Sequence, residues 1–166
     1  MSTPANDPGI AFELDDELVT AQPGETIWSA ARRHGVLIPH LCHSDGLRPD
    51  GNCRACVVEI EGERTLAASC CRTVADGMAV HAHSLRARRC QDMVLELLLS
   101  DLPAQGHKWN GDDATLPHGE LSAWAARQGV TPRPALTALR RQPLAADLSH
   151  PAMAVKLDAC IQCNRC

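Results

Sequence analysis

At 166 residues, with a net charge of −4, one Phe, three Trp and no Tyr, the chain lacks the basic face and stacking aromatics on which nucleic-acid binding rests. No apolar run reaches the roughly 20 residues that a membrane-spanning helix needs, since "MVLELLLSDLP" is short and broken by Glu96. Nine cysteines follow a start with no basic region and no apolar signal core. They read as thiols of a reducing cytoplasm, where metal ligation or catalysis comes before structural disulfides.

Residues 1–8 form a polar tail carrying Pro4 and Pro8. The run "IAFELDDELVTA" predicts two strands around a turn at Asp15-Asp16, with Ile10, Phe12 and Leu14 sharing one face. Pro23-Gly24 breaks the second strand. Glu25 or Thr26 can then begin a short helix whose stripe is Ile27, Ala30 and Ala31, with Gly35 suited to its left-handed cap. The long irregular stretch "IPHLCHSDGLRPDGNCRAC" needs something to order it. Strands are expected on both sides of Glu61-Gly62 and again in "GMAVHAHS". This order resembles the β-grasp arrangement of plant-type [2Fe-2S] ferredoxins.

Residues 84–102 give the strongest helix pattern, with Leu85, Met93 and Leu97 at helical spacing and Pro103 ending it. Its basic cluster, Arg86 to Arg89, reads as a solvated helix face ahead of a binding patch. Residues 103–150 are expected to be a connector with two short helices, in "GELSAWAARQG" and "PALTALRRQ". Residues 151–166 open a new unit, where a short apolar strand leads into cysteines. The fold class is α+β, with the first domain at 9–83.

Cys42, Cys53, Cys56 and Cys70 stand at C-x10-C-x2-C-x13-C. A Cys-x2-Cys pair, one cysteine before it on the same loop and one from a distant strand suit a [2Fe-2S] rhombus, whose irons each take two thiolates. Gly46, Gly51 and Asn52 let the backbone curl so that N–H groups point at sulfur. A structural zinc site, which usually shows two paired knuckles, and free buried thiols are the alternatives. No catalytic arrangement is recognisable, and His40 and His43 read as surface loop residues able to donate to cluster sulfur. Cys71 points away from Cys70 in extended chain, so only one of them reaches a cluster. Cys90 reads as a packed thiol.

The stretch "IPHLCHSDGLRPDGNCRACVVEIEG" followed by "AASC" resembles the N-terminal [2Fe-2S] domain shared by several NAD-linked enzymes. These are the large electron-input subunit of bacterial complex I, the diaphorase small subunit of NAD-reducing hydrogenases, iron hydrogenases and the α subunit of NAD-dependent molybdenum formate dehydrogenases. The resemblance implies a ligand role for Cys42, Cys53, Cys56 and Cys70. Complex I and hydrogenase relatives follow the long helix with a His-x3-Cys-x2-Cys-x5-Cys site for a [4Fe-4S] cluster. Here no cysteine stands between Cys90 and Cys160, and His107 and His118 alone cannot hold that cluster. With "GHKWN", "HGELSAWA" and "LSHPAMAV", the chain is most similar to the formate dehydrogenase α subunit. That resemblance implies a cytoplasmic complex oxidising formate at a molybdopterin centre and reducing NAD at FMN. The partners would be flavin/NAD-binding and small [2Fe-2S] subunits, with neither nucleic acid nor membrane. These residues would carry electron transfer and no substrate site. The alternative is an electron-transfer subunit of an NAD-reducing hydrogenase or complex I, and a remoter one is a zinc-binding structural module.

Cys160, Cys163 and Cys166 match the first three positions of the bacterial-type C-x2-C-x2-C-x3-C-P run, so they are candidate ligands of a [4Fe-4S] cluster. The set is incomplete, which reads as the truncated start of a two-cluster ferredoxin domain in a longer polypeptide. A free metal-binding tail is the other reading.

Overall fold

A computed structural model describes residues 9–103, 119–155 and 157–165. The tail at 1–8, His107, His118 and Cys166 lie outside the described residues. The chain forms two compact units, Met1–His40 with Cys56–Arg89, and Leu41–Ala55 with Cys90–Cys166.

In the first unit, β1 (Ile10–Leu14) and β2 (Glu17–Ala21) make the expected hairpin. Asp15 and Asp16 both take left-handed backbone, φ 48° and 69°, as a two-residue hairpin turn of this hand demands. The Asp15 carboxylate also accepts the N–H groups of Ala82 at 2.7 Å and His83 at 3.2 Å, fixing the turn to the chain leaving the sheet. β3 (Val57–Ile60), β4 (Ala67–Ala68) and β5 (Ala79–His81) complete a five-stranded mixed sheet in the order β2-β1-β5-β3-β4. Its central pair, β1 and β5, runs parallel, with Glu13 opposite Ala79. Helix α1 (Ile27–Arg33) follows the hairpin, as the β-grasp arrangement requires. Alternation along β1 turns Phe12 and Leu14 inward, where they are buried with Ile27, Ala30, Ala31, Val58 and Val80.

Helix α1 starts at Thr26 rather than Glu25, because the Thr26 hydroxyl accepts the Ser29 N–H at 3.2 Å. Its next two free donors go outside the helix. Ile27 N–H reaches the Arg72 carbonyl at 2.9 Å and Trp28 N–H the Ser69 carbonyl at 3.0 Å. At the other end Gly35 is left-handed, φ 80°, and Val36 N–H returns to the Ala31 carbonyl at 2.9 Å, closing the helix by a Schellman-type bond.

Helix α2 (Leu85–Asp101) forms where the sequence places it, and Ser84 Oγ accepts the Ala87 N–H at 3.1 Å. Its inward stripe differs from the expected one. Ala87, Gln91 and Leu95 are buried, whereas Leu85, Met93 and Leu97 are 68%, 55% and 48% exposed. The leucine-rich run offers apolar residues on several sides, so periodicity alone did not select the face.

In the second unit, α3 (Glu120–Gln128) and α4 (Pro134–Thr137) realise the two short helices. Leu41, Cys42, Cys53, Ala55, Leu95 and Leu121 form its buried cluster. Glu96 on α2 grips the guanidinium of Arg133, at 2.6 and 2.9 Å, while Asp101 meets Arg141 at 3.2 Å. Strands β6 (Asp147–His150) and β7 (Met153–Val155) pair as an exposed two-stranded hairpin.

Two truncations should separate core from cap. Phe12→Ala, at a fully buried site, is expected to cost about 3–5 kcal/mol. Thr26→Ala, which removes the α1 cap and the bond of the same hydroxyl to Ser29 Oγ, should cost about 1 kcal/mol. Chemical denaturation followed by far-ultraviolet circular dichroism measures both, and equal losses would contradict this reading of the core.

Candidate metal centre

Cys56 and Cys70 lie in the first unit. Cys56 precedes β3, and Cys70 sits in the turn after the two-residue β4. Ser69 ties the two segments together, because its N–H and its hydroxyl both donate to the Cys56 carbonyl, at 3.1 and 2.7 Å. Both cysteines are completely buried. The Cys70 thiol, hydrogen-bonded to the Cys56 sulfur, holds the Cys56 thiol down to about 6 against the effect of burial, with help from the Cys70 amide and the Ser69 hydroxyl. The same bond, with burial, pushes Cys70 well above the usual thiol range. Such a pair is a ready donor for an iron that takes two thiolates.

Cys42 and Cys53 lie in the second unit, on the loop that the sequence left irregular. They are 3% and 9% exposed, among Leu41, Ala55, Leu95 and Leu121. Burial pushes the Cys53 thiol up to about 11, opposed by backbone hydrogen bonds at its sulfur from Ala55 and Cys42 and reinforced by the neighbouring Cys42 thiol. Left-handed backbone at Gly46, Gly51 and, between the paired cysteines, Arg54, φ 57°, curls the loop. A non-glycine in that region is a small local strain, held here by the surrounding fold.

In the terminal run, Cys160 is exposed and Cys163 half-buried. Gln162 and Asn164 are left-handed, φ 54° and 58°, and Gln162 N–H points at the Cys160 sulfur, 3.4 Å away. This repeats the relation of the Ala55 backbone to Cys53, two residues on. Ile161 and Cys163 pack on the apolar cluster that holds Cys42 and Cys53. Arg141 donates to the carbonyls of Asp158 at 2.9 Å and Cys160 at 3.1 Å, and Arg165 to that of Leu41 at 3.2 Å.

Among the described residues, no three His, Cys, Asp or Glu side chains converge on one point able to hold a metal ion. The buried thiols come in twos: Cys56 with Cys70, and Cys42 with Cys53. Each iron of a [2Fe-2S] rhombus takes two thiolates. The donor chemistry therefore fits the two-iron cluster.

Two expectations change. Cys71 does not point away from Cys70, and the two sulfurs stand 3.6 Å apart, because the chain turns after β4 instead of remaining extended. His40 is half-buried, its ring edge-on to Trp28 at 4.5 Å, and His43 is half-buried too, so neither is an exposed loop residue. Ser69, which holds the Cys56 carbonyl, and the Ala55 amide, which serves the Cys53 sulfur, carried no signal in the spacing of the cysteines.

Residues 7–84 match the family model of a 2Fe-2S iron-sulfur cluster binding domain. HndD, from the NADP-reducing hydrogenase of Solidesulfovibrio fructosivorans, is 33% identical over 165 residues, or 95% of this chain and 27% of that protein. The G component of NADH-quinone oxidoreductase from Rickettsia conorii is 26% identical over 95% of this chain and 22% of its own length. The mitochondrial 78 kDa subunit of NADH-ubiquinone oxidoreductase of Candida albicans is 38% identical over 94 residues, 57% of this chain and 13% of that subunit. The chain thus spans 27% or less of the length of these curated relatives. A crystal structure of NAD+-reducing [NiFe]-hydrogenase in the H2-reduced state aligns with TM-score 0.75 and 30% identity, over 95% of this chain and 64% of that one. Residues 7–84 accordingly match a [2Fe-2S] iron-sulfur cluster binding domain, and the chain is similar to the G component of NADH-quinone oxidoreductase and to hydrogenase subunits that reduce NAD or NADP.

Proposed function

We propose that the chain holds a [2Fe-2S] cluster on Cys42, Cys53, Cys56 and Cys70 and relays single electrons inside a soluble, cytoplasmic, NAD-dependent formate dehydrogenase. The carrying observation is the paired, buried thiols within the residues that match the iron-sulfur domain. When bound, the cluster supplies a one-electron redox couple. The protein's part is to present thiolates, to direct backbone hydrogen bonds at Cys53 sulfur, and to keep water from Cys56 and Cys70, which are fully buried. Such hydrogen bonds and burial are the means by which proteins tune iron-sulfur potentials. A fully thiolate-ligated centre leaves no position for substrate, so formate would react elsewhere in the complex, at molybdopterin, with FMN and NAD on partner subunits.

The formate reading draws on the absence of cysteine between Cys90 and Cys160, where an additional cluster site is expected in the hydrogenase and complex I relatives. Those relatives themselves favour the second reading, an electron-transfer subunit of a hydrogenase or of complex I. Cys160, Cys163 and Cys166 are proposed as three ligands of a [4Fe-4S] centre. No helix among the described residues is long and apolar enough to cross a membrane.

Anaerobically isolated protein is expected to be brown, with about two irons and two acid-labile sulfides per chain at this centre. Cys53→Ser should abolish or strongly perturb the paramagnetic signal of the reduced [2Fe-2S] centre, and Cys90→Ala should leave it intact. Colourless protein with stoichiometric zinc and no sulfide would overturn the iron-sulfur assignment.

The complex pulled down through this chain should contain molybdenum and reduce NAD with formate. Nickel and hydrogen-dependent NAD reduction would instead favour the hydrogenase reading.

A further inference from the structure

Cys70 and Cys71 are adjacent, and only Cys70 is absorbed by the ligand set. The turn that carries them is wound like a single helical turn, because the N–H groups of Cys71 and Arg72 both donate to the Ala68 carbonyl at 3.0 Å. Side chains that would diverge in a strand therefore stay side by side, and the sulfurs approach to 3.6 Å. Cys56, Cys70 and Cys71 make a row of three thiols in one unit, with Cys70 buried in the middle and Cys71 exposed at the outer end.

The backbone beneath this row is anchored independently of either sulfur. The carbonyls of Ser69 and Arg72 take the first N–H groups of α1, Val74 N–H reaches the Glu25 carbonyl at 3.0 Å, and Thr73 bridges to Thr26. Arg72 is drawn outward to Glu63, 2.6 Å away. Removing the Cys70 sulfur therefore leaves the turn in place, with a second sulfur within one side-chain rotation of the vacated position.

We propose that Cys71 is a reserve ligand of the [2Fe-2S] centre, replacing Cys70 when that sulfur is lost; this rests on the cluster assignment above. The exchange is a ligand substitution. The iron–sulfur bond to residue 70 is absent, a bond from the Cys71 thiolate takes its place, and the Cys71 proton goes to solvent. No electron is gained or lost, so neither oxidant nor reductant is needed. The incoming ligand is more exposed than the one it replaces, so the substituted centre differs in hydration and hydrogen bonding, both of which alter iron-sulfur spectra and potentials.

The test compares the anaerobically isolated chain with Cys70→Ala, Cys71→Ala and the double variant. It reads iron and sulfide content, the paramagnetic signal after dithionite reduction, and iodoacetamide labelling of residue 71 by mass spectrometry. In the parent chain Cys71 should label, and Cys71→Ala should keep the iron, the sulfide and a [2Fe-2S] signal. Cys70→Ala should retain iron and sulfide, show a shifted signal and lose labelling at Cys71. The double variant should lose the cluster.

A folded Cys70→Ala protein without iron, or one with a shifted signal in which Cys71 still labels, overturns the reserve role. If Cys70→Ala does not fold, Cys70→Ser decides by the same labelling, with protection of Cys71 supporting the role and parent-like labelling overturning it. An unchanged signal in Cys70→Ala with Cys71 labelled, or a parent chain free of iron and sulfide, would remove the cluster assignment itself.

Discussion

Two backbone hydrogen bonds organise the candidate centre: Ile27 N–H to Arg72 and Trp28 N–H to Ser69. Every helix begins with N–H groups that its own turns cannot satisfy. Thr26 meets one of those of α1 with its side chain, and the turn after β4 meets the next two. A short helix thus solves its capping problem with the segment that bears Cys70. The same bonds place Ser69 where both its amide and hydroxyl reach the Cys56 carbonyl. The requirement that buried polar groups find partners is here what positions a sulfur.

The sulfurs themselves are held by contrasting environments. Cys56 offsets its burial mostly through the Cys70 thiol, whereas Cys53 is served by backbone groups on a curled loop. Neutral thiols tolerate an apolar surrounding that an isolated thiolate would not. A thiol must lose its proton to bind iron, which makes metal loading and proton release one linked process.

Much of the fold could be read from the residues because local chemistry and global shape agree. Asp15-Asp16 between alternating apolar residues specifies a tight hairpin, and Gly35 ends α1 where the apolar stripe ends. The errors have physical causes. Leucines crowd α2 on more than one side, so its inward face was chosen by packing rather than by period. The opposed direction assumed for Cys71 presupposed extended chain, and the turn after β4 removed that premise. Cysteine spacing points to the kind of metal centre through its single knuckle and distant fourth sulfur. It is silent on Ser69 and on the strained Arg54, since these act through backbone geometry rather than residue type.

The pairing of β1 with β5 joins Glu13 to Ala79, near opposite ends of the first unit. Contacts so far apart in sequence form late and slowly. During synthesis, then, the loop bearing Cys42 and Cys53 leaves the ribosome well before the sheet around Cys56 and Cys70 can close. For that interval the thiols meet the cell as nucleophiles on an unfinished chain, and the order of chain closure and iron delivery becomes a matter of timing as well as affinity.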